Sequence, residues 1–488
     1  MQTRAPGLRP AGEFDGARTA DVTAVIVVWS CVFAASIFGI LTRPIGDLAA
    51  FWPTNAVLLG LMVRFQNLAR PSGWCAAALG YVAADLVTGG SLLSTLLLSA
   101  ANMFGVGVGY VLFSRLDEQY RRLRRPLSVL YLVAITAAAS AAAGVIGAIA
   151  NPILFGKGAV SGWTFWFATE LVNFMAILPL MLSFPDVAWR NLRKSAASRD
   201  IRLVSIWPVL ALIGSAAASV LVGGPGAMAF PAPALLWCAL TYSLFVTSAL
   251  TLLFSFWILL AISNGYLPVA IDYDAQHAQM SIRIGIMLMA LAPITVASVM
   301  ATRNELLDRL KRLAEHDQLT GLLNRSAFRD KASALVAECT RNARPIAVLM
   351  ADIDQFKSIN DRFGHAAGDA VLASFARCGS GCLRTSDAFG RMGGEEFAIA
   401  LADCTAEEAY GIAERIRTLF ASERVVLGDG RHVSATVSIG CGSSPSDHSD
   451  VDHLLLVADN ALYAAKAAGR DRVVMSASER QDRIVGHI

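Results

Sequence analysis

Hydrophobic positions divide this chain in two. Before Arg303 they form long, almost unbroken runs near Ala24–Leu41, Ile45–Val63, Ser72–Leu86, Leu92–Phe113, Leu127–Leu154, Trp163–Leu182, Val204–Val222, Ala227–Tyr242, Leu244–Ile262 and Ile282–Met300. Apolarity on every face of a helix predicts membrane spans. An upright span needs about 20 residues; several runs are shorter and Leu127–Leu154 is longer, so the pattern predicts about 8–10 transmembrane helices. After Arg303 the runs break up. Pro345–Met350 reads as a buried strand, Ala370–Leu383 as an amphipathic helix, and Ala388–Met392 and Phe397–Leu401 as the two arms of a β-hairpin. At the junction Val299, Arg303, Leu306, Leu310 and Leu313 fall at steps of four, three, four and three, a short a/d seam continuous with the last run. Such a seam suits a helix zipped against a second copy, or an amphipathic linker lying on its own domain.

Composition agrees with the first half of that reading. The chain is 55% hydrophobic and 16% charged, against about 25% charged in soluble domains. Charge placement then orients the spans. Arg4, Arg9 and Arg18 precede the first run, Arg64 and Arg70 follow the second, Arg115, Arg121, Arg122, Arg124 and Arg125 the fourth, and Arg190, Arg193, Lys194, Arg199 and Arg202 the sixth. These loops alternate, so they share one side, whereas the other loops carry only Arg43 and Lys157, with Asp272 and Asp274 in the Asn264–Gln279 segment. By the positive-inside rule both termini are cytoplasmic. The net charge of +3 is thereby absorbed by topology and calls for no nucleic-acid partner. A cleavable signal peptide is not expected, because the polar start is long and the first run lacks a small-residue cleavage site. Eight cysteines are scattered without a CxxC pair, the usage of reduced thiols; Cys378 and Cys382, four apart, leave a soft-metal pair as an alternative.

Chemistry concentrates in Arg391-Met-Gly-Gly-Glu-Glu-Phe397. Glycines at a hairpin tip let a bulky ligand approach the backbone, and glutamates beside them can hold Mg²⁺ against phosphate oxygens. Upstream, the strand pattern runs into Asp352-Ile353-Asp354, placing carboxylates at a strand's carboxyl end, where open α/β sheets bind ligands. Phe356-Lys357-Ser358-Ile359-Asn360-Asp361 follows, then Gly364-His365-Ala366-Ala367-Gly368-Asp369. Asp459–Arg470 reads as a helix ending at a glycine with Lys466 and Arg470 at its last turn.

Together with Asp317-Gln-Leu-Thr-Gly-Leu-Leu-Asn-Arg325, these segments resemble, in order and spacing, the GGDEF family of diguanylate cyclases, with Glu395 where the family name has Asp. The resemblance covers about Asp317 to Met475. It implies a membrane-bound enzyme that condenses two GTP into cyclic di-GMP and two pyrophosphates, with two Mg²⁺ (or Mn²⁺) per active site and a homodimer. Asp352, the Ile353 carbonyl and Glu395 would ligate metal; Glu395 and Lys357 would be catalytic. Asn360, His365, Asp369, Phe356, Lys466 and Arg470 would bind GTP, and Arg384 with Asp387, an RxxD five residues before Gly393, would bind cyclic di-GMP as an inhibitor. Plainer readings stand beside these: Asp354 and Asp361 as loop and capping acids, His365 as a loop-fixing residue, Lys466 and Arg470 as helix-dipole partners, Arg384–Asp387 as a surface ion pair. For the whole domain the alternatives are a catalytically silent sensor of GTP or cyclic di-GMP, and an adenylate-type cyclase lacking Asn360 and Asp369-like contacts.

The apolar half more loosely resembles the MASE-type membrane sensors fused to such domains, through Phe51-Trp-Pro-Thr-Asn-Ala56, Asp85, Glu170 and Asn173. Ionisable groups inside spans are costly, which makes Asp85 and Glu170 candidate sensor residues; helix packing and proton relay are the other uses of such groups. The expected organisation is a cytoplasmic tail (1–22), a multi-span sensor domain (23–302), a signalling helix (303–316), the cyclase domain (317–478) and a polar tail (479–488). The expected fold is an all-α polytopic membrane domain, in the lipid bilayer of a bacterial inner membrane, followed by an α/β palm-like domain with a central, mostly antiparallel sheet.

Overall fold

The computed structural model describes residues 11–41, 52–185, 206–263, 266, 275–428, 430–444 and 450–476. It divides into two compact units, Met1–Glu305 and Leu306–Ile488.

In the first unit each apolar run has a helix within its described residues: Ala11–Leu41, Thr54–Arg64, Pro71–Val87, Leu92–Ser114, Ser128–Phe155, Ala159–Leu182, Trp207–Val222, Ala232–Thr241, Leu244–Ser263 and the start of Ala275–Glu315. Among the described residues six helices are long and apolar enough to cross a membrane, and Thr54–Arg64, Trp207–Val222 and Gly226–Thr241 are shorter. The expected 8–10 spans counted these shorter runs as well. An 11-residue helix rises only about 16 Å, and the helix at Thr54 starts just after Pro53, with the earlier part of the Ile45–Val63 run outside the described residues. Ala159–Leu182 is the most buried of the long helices; it packs on Ser128–Phe155, Thr54–Arg64 and Leu244–Ser263. Close packing there depends on small residues: a Cβ on Gly147 would meet the Trp166 ring at 2.6 Å. The topological charges Arg4, Arg9, Arg43, Arg190, Arg193, Lys194, Arg199, Arg202, Asp272 and Asp274 lie outside the described residues, as does the polar tail from 479 onward.

The second unit is built on a five-stranded sheet ordered β2-β3-β1-β6-β7, with β1 Ile346–Ile353, β2 Ala388–Gly393, β3 Glu396–Ala402, β6 Val437–Ser444 and β7 Val473–Met475. All joins are antiparallel except β6 with β7, as expected. A separate small ribbon pairs β4 Val425–Val426 with β5 His432–Val433. Strand β1 is apolar without alternation because it is buried on both faces. Ala347, Leu349, Ala351 and Ile353 join one core, with Phe375 and Phe420 from helices His365–Cys382 and Ala406–Ser422. Ile346, Val348 and Met350 join another, with Phe328 and Leu462 from helices Arg325–Arg341 and Val451–Ala467. That last helix lies directly on β6: a Cβ on Gly440 would stand 2.1 Å from the Ala458 carbonyl oxygen and 2.2 Å from the Leu462 nitrogen. Backbone cannot yield as a side-chain tip does. Gly440→Ala should therefore destabilise this unit by about 1–3 kcal/mol or more, read as a lowered denaturation midpoint; an unchanged midpoint would contradict this packing.

One boundary differs from expectation. The helix expected from Ala370 begins at His365, immediately after helix Phe356–Phe363. Gly364, at φ +85°, makes the break between them, a conformation that side chains with a Cβ avoid.

Candidate active site

The hairpin tip is shaped by two glycines in the positive-φ region, Gly393 at +149° and Gly394 at +51°, and the β2–β3 register slips between Arg391 and Gly393. Bulges of this kind re-aim side chains. The tip is fastened to the core strand. The Ile353 N–H donates to the Glu395 carbonyl at 3.3 Å, and Asp352 stands opposite Glu396 in the register of β1 and β3. A second fastening was not foreseen from sequence. Arg391 donates through Nε and Nη2 to the Gly394 carbonyl (2.9 and 2.7 Å) and pairs through Nη1 with Asp317 at 3.1 Å. Asp317 Oδ1 also accepts from the Thr320 N–H and hydroxyl at 2.9 and 2.7 Å. Burial alone would raise the Asp317 carboxyl, but these hydrogen bonds and the Arg391 charge hold it below its ordinary value. Because its folded pKa is depressed, the stabilisation it gives is present at neutral pH and lost only as pH falls through that lowered value. The only sequence signal was that the opening Asp317 and the arginine before the glycines are two charges with no other assigned role, which does not by itself pair them.

Asp352 is buried at the end of β1 and pairs with Lys466 Nζ at 2.7 Å. Burial raises its pKa, Lys466 opposes the rise, and the neighbouring Glu395 and Glu396 charges add to it. Three carboxylates thus share one corner with a single ammonium against Asp352, and a main-chain carbonyl, that of Ile353, lies beside them. The donor set is oxygen-only and electron-rich, which suits a hard divalent cation. Among the described residues no group of three metal-binding side chains is already gathered; two carboxylates and the carbonyl are the donors available.

Asp354, by contrast, is built in. Its Oδ2 accepts from the Thr436 hydroxyl (2.7 Å) and the Asp471 N–H (3.0 Å), and its Oδ1 from the Ser438 hydroxyl (2.7 Å), so it ties the end of β1 to β6 and to the loop before β7. Phe356 puts its ring into the core, leaving only its main chain for a ligand. Lys357 is exposed one position on. Asn360 abuts the next helix so closely that a Cβ on Gly368 would lie 2.1 Å from its Oδ1; His365 and Asp369 are exposed one turn apart on that helix. Arg470 lines a groove with Gln355, Ser358 and Arg362. In the RxxD segment Asp387 is buried and its Oδ2 accepts from the Arg384 N–H at 2.8 Å. The two are joined through the main chain, with no ion pair between them among the described residues, and the Arg384 side chain is exposed. Asp85 and Glu170, in the first unit, line one cavity.

The family model described as "Diguanylate cyclase, GGDEF domain" matches residues 314–472. The probable diguanylate cyclase DgcF of Escherichia coli O157:H7 is 30% identical over 440 residues, spanning 88% of this chain and 90% of that protein. The response regulator PleD of Caulobacter vibrioides is 40% identical over 173 residues, spanning 35% of this chain and 38% of its own. Among solved structures, the coiled coil and GGDEF domain of DgcB from Caulobacter crescentus, in complex with c-di-GMP, is 30% identical, covering 36% of this chain and 93% of that one at a TM-score of 0.35.

Proposed function

The chain belongs to the GGDEF family of diguanylate cyclases, and on that premise we propose that two copies of its Leu306–Ile488 unit join two GTP molecules at the corner framed by Asp352, Ile353 and Glu395. The observation that carries this reading is the fastening of the glycine hairpin to the end of β1, where Glu395 meets the Ile353 amide. Each 3′-hydroxyl attacks the other nucleotide's α-phosphate, and pyrophosphate leaves in line. One unit holds one GTP, so two must face each other.

Asp352, the Ile353 carbonyl and Glu395 would hold Mg²⁺, which when bound lowers the pKa of the attacking hydroxyl and absorbs phosphate charge. Glu395 accepts the hydroxyl proton. Lys357, exposed at the start of its helix, neutralises charge on the phosphates. Asn360 and Asp369 read the guanine edge, flanked by His365. Lys466 and Arg470 take the terminal phosphates. The ammonium of Lys466 now neutralises Asp352; a cation at Asp352 would free it to turn to the nucleotide. Asp369→Ala should weaken GTP binding by about 1–3 kcal/mol while leaving the melting curve unchanged, and ATP should not serve as substrate. Equal turnover of ATP and GTP by the unaltered chain would point instead to a generic cyclase.

The finer points of the reading concern control. Six long apolar helices support a place in the bacterial inner membrane, with both termini cytoplasmic where GTP is found. Leu306, Leu310 and Leu313 are half or more exposed in the single chain, which supports a seam between two copies. Arg384, exposed above a buried Asp387, supports product feedback: a guanidinium fork can grip phosphate or guanine bidentately. Arg384→Ala should keep the initial rate and lose the slowing as cyclic di-GMP accumulates. Unchanged inhibition in the folded variant would remove this segment from the account.

A further inference from the structure

Asp85 and Glu170, from helices Pro71–Val87 and Ala159–Leu182, converge on one cavity of about 70 Å³ inside the Met1–Glu305 unit. That is room for a ligand of a few heavy atoms, since a single water occupies about 10–15 Å³ on the same scale. Glu170 is 3% exposed, and its Oε2 has no hydrogen-bond partner among the described residues. Asp85 already accepts from the Thr95 hydroxyl at 2.6 Å. A carboxylate oxygen left unpaired in a buried site is costly, so Glu170 presents the cavity with an unmatched acceptor.

The surroundings say which kind of donor would match it. Trp52, Tyr81, Phe165 and Trp166 line the walls, and among the described residues no Lys, Arg or His does. The cation at the border, Arg283, is held by two of the lining side chains: it donates to the Thr169 hydroxyl at 2.5 Å and lies 5.1 Å over the Phe165 ring. Asn102, which could meet a donor, accepts from Asn55 at 3.0 Å. Two carboxylates and four aromatic side chains, with no cation among the described lining residues, make a site for a positive group that both donates hydrogen bonds and lies against π-faces. We infer that this cavity binds a small organic ammonium ion, held by Glu170 and Asp85 and packed against the tryptophans. A bare divalent metal ion would find too few oxygens and too much aromatic wall.

The test is calorimetry on the full chain in lipid nanodiscs without nucleotide, so that its outcome is separate from that of the cyclase reading. The probe is ethylammonium, with ethanol as a neutral analogue and acetate as an anion. The expected result is saturable ethylammonium binding, accompanied by a tryptophan emission shift, with neither control binding. Glu170→Gln, and independently Asp85→Asn on the other helix, should each weaken it about tenfold or more. Absence of saturable binding, equal binding of ethanol, or undiminished binding in either folded variant would overturn the inference; should Glu170→Gln not fold, Asp85→Asn and the ethanol comparison decide it.

Discussion

Glu395→Gln is expected to lower cyclic di-GMP synthesis by about three orders of magnitude or more and to leave the melting curve where it was. The side chain sits at a hairpin tip shaped by Gly393 and Gly394, outside the two cores that stabilise the unit. Its amide analogue keeps shape and most hydrogen bonding but supplies neither the charge for a divalent cation nor a base for the hydroxyl proton. The neighbouring Asp352 would also feel one negative charge fewer, so its raised pKa should fall. Measured together, turnover and thermal melting separate the two roles: a folded variant with substantial activity would remove Glu395 from the chemistry.

Arg391→Ala is the second large effect. Its guanidinium holds the Gly394 carbonyl and the Asp317 carboxylate at once, and so fixes where the tip places Glu395. Displacing a catalytic group by about 1 Å can cost about 100-fold in rate. We expect a loss of that order in kcat with a small change in stability, because the pair is only partly buried. Arg391→Lys should recover little, since a point charge cannot reproduce the fork that reaches two acceptors. Full activity in Arg391→Ala would mean that the bulge geometry of the strands alone positions the tip.

The contrast between Glu395 and Arg391 shows how far the sequence could be read. Features set by local periodicity were legible: each apolar run holds a helix in its described residues, β1 showed itself by having no alternation, and Gly-Gly between two apolar arms was a hairpin. Pairings across large sequence separations were not. Asp317 and Arg391 are 74 positions apart, and nothing local tells which arginine an opening aspartate will meet. The same holds for Asp354, whose partners Thr436, Ser438 and Asp471 arrive from β6 and the loop before β7. The helix start at His365 was missed because Gly364 and Gly368, so closely spaced, read as a glycine-punctuated loop, whereas Gly364 merely turns the chain and Gly368 gives way to Asn360. Among the described residues six helices have the length and apolarity to span, and the shorter Thr54–Arg64, Trp207–Val222 and Gly226–Thr241 account for much of the rest of the expected runs.

The central claim, that this chain joins two GTP molecules at the Asp352–Glu395 corner, is tested most directly by incubating the purified full chain with α-³²P-labelled GTP and Mg²⁺ and chromatographing the products. The account predicts label in cyclic di-GMP, with pyrophosphate released in equal number to GTP consumed, and none from Glu395→Gln. Label that stays in GTP with folded, dimeric protein, or the same product from Glu395→Gln, would contradict it.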